Sequence, residues 1–157
     1  KITTLALLLT AALILSYLEG VLALNALFPG IKLGLSNIAL VVVLYLFGGA
    51  TAAGFGVLKC VLSLLFLGRL SSLFFSLTGT LFAAAIMILI KKQKIFSLFG
   101  VCVSGSVFHV WGQLCAACVF YGSLSPFQLL PLLTGCALLS GAVVFFPVRG
   151  TLHFLKK

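Results

Sequence analysis

Apolar residues fill this chain in long blocks, broken by short clusters of glycine, proline, serine and basic residues. A hydrocarbon core of about 30 Å needs roughly 20 apolar residues per helix. Six stretches approach that length: about 2–24, 33–47, 49–67, 70–90, 95–120 and 127–146. Barrel strands alternate lipid-facing and lumen-facing residues, and none of these stretches alternates. In lipid a backbone that is not in a closed barrel must bond to itself, which leaves helices. The breaks carry turn signals: Phe28-Pro29-Gly30, Gly48-Gly49, Gly68-Arg69, Lys91-Lys92-Gln93-Lys94, and Gly122 to Pro126. Pro147 precedes a short basic tail over 148–157. The pattern predicts an all-α integral membrane protein, a single domain of six transmembrane helices with no room for a separate soluble unit.

Composition reinforces this. The chain is 63% hydrophobic and 7% charged, against about a quarter charged in soluble domains. Glu19 is the sole acidic side chain, facing ten Lys and Arg. With the N-terminus inside, Lys1, Lys91, Lys92, Lys94, Arg149, Lys156 and Lys157 lie on the cytoplasmic side. Only Lys32 and Arg69 lie outside. The positive-inside bias therefore places both termini in the cytoplasm. Topology and attraction to anionic lipid account for the net charge without a nucleic-acid partner. A cleavable signal peptide over residues 1–20 is the rival reading. The apolar run is too long for it, and Ala-x-Ala is missing near Ala26.

Orientation gives each polar residue a depth. Glu19 and Asn25 fall at the outer end of the first span, and Lys32, Ser36 and Asn37 at the outer start of the second. Lys59 is central in the third, with Ser63 one turn further out. Ser72, Ser76 and Thr80 form a stripe on the fourth, and His109 and Gln113 lie four apart on the fifth. Gln128 and Thr134 open the sixth. The inner halves of spans four and six are nearly all apolar. This asymmetry predicts a pocket open to the outside and sealed toward the cytoplasm.

Ionisable groups within a membrane are functional candidates, since a central charge costs about 2.5–3.5 kcal/mol on insertion scales. Structural alternatives stand beside each. Lys59 can snorkel, Glu19 can sit in the headgroup layer, and His109 with Gln113 can serve as interhelical glue. The serine and threonine stripe can back-bond to its own helix. Pairing Glu19 with Lys59 or Lys32 would lower the cost of both charges. The cysteines Cys60, Cys102, Cys115, Cys118 and Cys136 read as small apolar residues, although Cys115 and Cys118 have redox spacing. Small pairs such as Gly48/Ala52 and Gly49/Ala53 suit close helix packing.

The run Pro29-Gly30-Ile31-Lys32-Leu33-Gly34-Leu35-Ser36-Asn37 is the most specific motif. With Leu18-Glu19, Gly79 and His109-Val110-Trp111-Gly112-Gln113, it resembles the Gx transporter family, often labelled heptaprenyl diphosphate synthase component I. The likeness covers essentially the whole chain. The same run is similar to the first loop and second helix of substrate-binding S components of energy-coupling-factor vitamin transporters. That resemblance implies an S-component-like bundle in a bacterial cytoplasmic membrane, with an outward-facing pocket capped by the first loop. It also implies docking to a membrane partner through a small-residue pair on the first helix. Ala12-x-x-x-Ser16, with Ala11 alongside, is the nearest pair here. A flavin-, quinone- or isoprenoid-linked role is a further implication of the family, with flavin a possible cofactor.

Three functions compete. The first is a binding and transport subunit for a small anionic or amphiphilic molecule such as a vitamin, flavin or isoprenoid, working with a further membrane subunit and its ATPase module. Its ligand-binding set is Glu19, Asn25, Lys32, Ser36, Asn37, Lys59, Ser63, His109, Trp111 and Gln113, with Lys32, Lys59 and Arg69 meeting negative groups and Trp111 holding an apolar part. The second is the membrane subunit of a flavin or quinone redox complex for extracellular electron transfer. The third is a non-catalytic accessory of a prenyl diphosphate synthase. Magnesium in such synthases sits on Asp-rich motifs, and hard divalent cations need several oxygen ligands. A chain with no Asp and one Glu cannot supply them. It also lacks a P-loop. No enzymatic activity is expected.

Overall fold

The computed structural model describes residues 1–21, 34–67, 70–93 and 96–155. These form α1 (Ile2–Val21), α2 (Asn37–Phe47), α3 (Gly49–Leu67), α4 (Leu70–Gln93), α5 (Leu98–Tyr121) and α6 (Leu130–Leu155), with a 3-10 turn at Ser125–Leu129. The described residues contain no strand. Five helical segments are long and apolar enough to cross a membrane. The exception is α2. Its 11 residues rise about 16 Å, roughly half of a hydrocarbon core.

The second predicted span therefore shrinks, because Leu35 and Ser36 turn before α2 begins. The sixth grows. The basic tail expected after 146 is helical through Leu155, with Pro147 inside α6. A proline removes one backbone donor and crowds the preceding turn, which membrane helices tolerate. Pro147 lies on the exposed side. The inward face, with Val144, Val148 and Leu152, is packed into the core and holds the helix past the proline.

Five helices pack around α2, which touches α1, α3, α4, α5 and α6. Val41, Val42, Val43 and Leu44 are consecutive and all buried. A helix buried on every side has no polar face to spare, which is why its sequence is apolar at nearly every position after Asn37. Around it sit Ala12, Ala52, Phe55, Ala83, Met87, Val101 and Val144 in one apolar cluster. Outward-facing residues such as Leu65, Phe66, Leu139 and Phe146 are equally apolar. So continuous an apolar exterior is incompatible with water, and the chain is a multi-pass membrane protein.

The α4–α5 crossing is close. A methyl group on Gly112 would lie 2.8 Å from the Thr78 carbonyl oxygen and 2.9 Å from the Gly79 Cα. One on Gly79 would lie 2.7 Å from the His109 carbonyl oxygen. Glycines here let two backbones meet directly, the usual basis of close packing in lipid. This contact sets His109 and Gln113 against α4.

Candidate functional site

A group of buried polar side chains lies toward the end of the bundle where α1 finishes and α2 starts. Ala12, Ser16 and Glu19 occupy one inward stripe of α1, at helical spacing, and all three are buried. Ser16 Oγ and Ser63 Oγ of α3 lie 3.2 Å apart. The pair nearest to a small-residue docking surface thus packs inside the protein, its alanine in the core cluster and its serine beside Ser63.

Glu19 Oε1 accepts backbone N–H groups from Gly34 at 2.6 Å and Leu35 at 2.7 Å. Its Oε2 lies 3.4 Å from the N–H of Ser36. Three successive amides converging on one carboxylate make the kind of concave anion site that a left-handed residue creates in a turn. Gly34 supplies that residue, with φ +89°, a conformation that costs other L-residues about 1–2 kcal/mol. Glu19 is 5% exposed, so these bonds are shielded from water.

Lys59 is 1% exposed, and its Nζ donates to Ser36 Oγ at 3.1 Å. The expected offset between Glu19 and Lys59 therefore runs through Ser36, which receives the ammonium on its hydroxyl and gives its N–H to the carboxylate. Asn37 follows directly. It is 1% exposed, and neither its Oδ1 nor its Nδ2 has a hydrogen-bond partner. A methyl group on Gly34 would lie 2.8 Å from Asn37 Nδ2 and 3.3 Å from His109 Cδ2, so turn, amide and imidazole meet at one point. His109 Nε2 and Gln113 Nε2 are 3.0 Å apart, joining the two as one polar unit on α5.

The structure thus gathers Glu19, Ser36, Asn37, Lys59, Ser63, His109 and Gln113 from four helices. Trp111 is set apart. It donates its Nε1–H to Thr134 Oγ1 at 3.0 Å, its ring lies 5.3 Å from Phe108, and it is 37% exposed. Two residues from His109, it projects from a different face of α5. Asn25, Lys32 and Arg69 lie outside the described residues. The α4 stripe bonds across to α3, with Cys60 Sγ 3.5 Å from Ser76 Oγ and 3.4 Å from Thr80 Oγ1. All five cysteines are free thiols, and no cluster of three metal-ligating side chains occurs among the described residues.

Sequence reasoning passed over two features. One is the role of Gly34, signalled only by a glycine directly before Leu35-Ser36-Asn37. The other is Ser106 on α5, fully buried with its hydroxyl unbonded and one turn before His109. Serine in an apolar helix gives little sign of its orientation.

What the arrangement can do follows from its charges. An ammonium, an amide with spare donors and acceptor, and an imidazole–amide pair can bind and orient a small polar molecule carrying negative charge. No curated protein and no solved structure matches the chain. The family model described as heptaprenyl diphosphate synthase component I matches residues 8–149, and the chain belongs to that family.

Proposed function

We propose that the chain is a non-enzymatic, membrane-embedded binding subunit of a transport system, taking a small anionic molecule into the polar site from the outer face. Asn37 carries the reading. A buried amide with no partner costs about 1–3 kcal/mol, and a ligand that bonds to it would recover that cost. In this reading Lys59 meets the ligand's negative group, His109 and Gln113 fix its orientation, and the Gly34–Ser36 turn, tied to Glu19, forms the cap. The apolar plug at Val41–Leu44 closes the far side. A further membrane subunit would couple the site to energy.

Native mass spectrometry of the detergent-solubilised protein tests this. A small anionic adduct that is retained by the wild type and lost in Asn37→Ala and Lys59→Met supports it. Retention in both variants, or no adduct from any vitamin, flavin or isoprenoid panel, rejects it. A flavin or quinone adduct with a visible chromophore would favour a redox subunit instead.

The family's description supports a second reading, an accessory of a prenyl-chain synthase. In that case catalysis belongs to a soluble, Asp-rich partner, and copurification of such a synthase with this chain is the test.

A further inference from the structure

The opposite end of the bundle carries a second feature, independent of the site above. A cleft of about 770 Å³ is lined by Tyr45 of α2, Leu98 of α5, and Phe146, Arg149, Gly150, Leu152 and His153 of α6. Its existence depends on α6 continuing past Pro147, since that puts Arg149 and His153 one turn apart on the same face. Arg149 Cζ stands 5.9 Å from the Phe145 ring centroid, a cation–π contact that holds the guanidinium beside the cleft. Both Arg149 and His153 are exposed.

The sequence offers Arg149 one acidic side chain, Glu19, which is held by the turn at the other end of the bundle. The neighbouring Lys91 is differently placed: its Nζ donates to the Leu44 carbonyl oxygen at 2.7 Å and lies 4.7 Å from the Tyr45 ring centroid, capping the C-terminus of α2. Among the described residues no acidic side chain lies at this end of the bundle. A ligand that fits the cleft has an anionic head for a guanidinium and a hydrocarbon part for Leu98, Phe146 and Leu152.

We propose that this cleft binds one anionic phospholipid, with its phosphate on Arg149 and His153 and an acyl chain along Phe146 and Leu98. Guanidinium matches phosphate oxygens with two parallel N–H donors, and basic pockets between membrane helices are built for such headgroups.

The test uses the full chain in detergent, titrated with phosphatidylglycerol or phosphatidylcholine of identical acyl chains and followed by native mass spectrometry. Phosphatidylglycerol should bind about fivefold tighter, the change expected for one basic group meeting an anionic lipid. Arg149→Gln should abolish the preference. Arg149→Lys, which keeps the charge but loses the fork, should reduce it. Lys92→Gln, in the adjoining cleft, should leave it in place, and millimolar inorganic phosphate should not displace the lipid. Equal binding of the two lipids overturns the proposal. So does equal loss in Arg149→Gln and Lys92→Gln, which would mean diffuse charge. Displacement by inorganic phosphate would reassign the cleft to a free anion.

Discussion

Glu19 and Lys59 meet on opposite sides of Ser36. The carboxylate takes the Ser36 N–H at 3.4 Å, and the ammonium donates to the Ser36 hydroxyl at 3.1 Å. Two buried charges thus hold one turn between α1 and α3, and each depends on it for a partner. Removing one partner of such a pair usually costs more than removing both, because the remaining charge stays buried.

Glu19→Gln should loosen the turn. A neutral oxygen accepts the Gly34 and Leu35 N–H groups more weakly than an anion does, and a loss of about 1–3 kcal/mol is expected. Thermal unfolding in detergent should show a clear fall in Tm. An unchanged Tm together with unchanged ligand retention would sink the role given to Glu19.

Gly34→Ala should be worse than Gly122→Ala. Both glycines have positive φ, +89° and +60°, so both variants bear the left-handed penalty of about 1–2 kcal/mol. Only Gly34 has a neighbour in the way, Asn37 Nδ2 at 2.8 Å, while nothing lies within 4 Å of a methyl group on Gly122. The difference in Tm between the two variants isolates that contact, and equal losses would argue against it.

Lys59→Met should cost stability as well as binding. It removes one of the two buried charges and leaves Glu19 buried without it, a change that costs about 3–5 kcal/mol when such a pair is broken. The ligand-free Tm should fall, and an anionic ligand should no longer raise the variant's Tm above its own ligand-free value. A variant that keeps that protection would remove Lys59 from the site.

Gly79→Val should break the α4–α5 crossing. Overpacking typically costs about 1–3 kcal/mol, and here the obstacle is the His109 carbonyl oxygen at 2.7 Å, which cannot rotate away. Gly54→Val, with nothing within 4 Å, is the control. Comparable Tm values for the two would show that the crossing tolerates separation.

The apolar blocks made the helical class legible, because length and lack of alternation decide between helix and strand in lipid. Depth assignment also brought Glu19, Ser36, Asn37, Lys59, Ser63, His109 and Gln113 to one end of the bundle. Rotation about each helix axis was less legible. Trp111 stands in the predicted ligand set beside His109 and Gln113, yet its indole bonds to Thr134 on α6. Ala12 and Ser16, the nearest match to a small docking pair, are both buried. A helix apolar all round has too weak a moment to fix its orientation, so sequence sets height and packing sets the angle. Pro147 misled for a related reason: its local signal to stop was outweighed by the buried face of α6.

The shortness of α2 has its own consequence. Helix and plug are the same object, a cylinder about 16 Å long wedged among all five neighbours. A molecule resting at its N-terminus would already be about halfway across the hydrocarbon. Only that cylinder would separate it from the basic end. Passage would then require no channel between rigid walls. On the proposed function it would require α2 itself to move, and Gly48, at φ +92° with nothing within 4 Å of an added methyl group, ends the helix that would move.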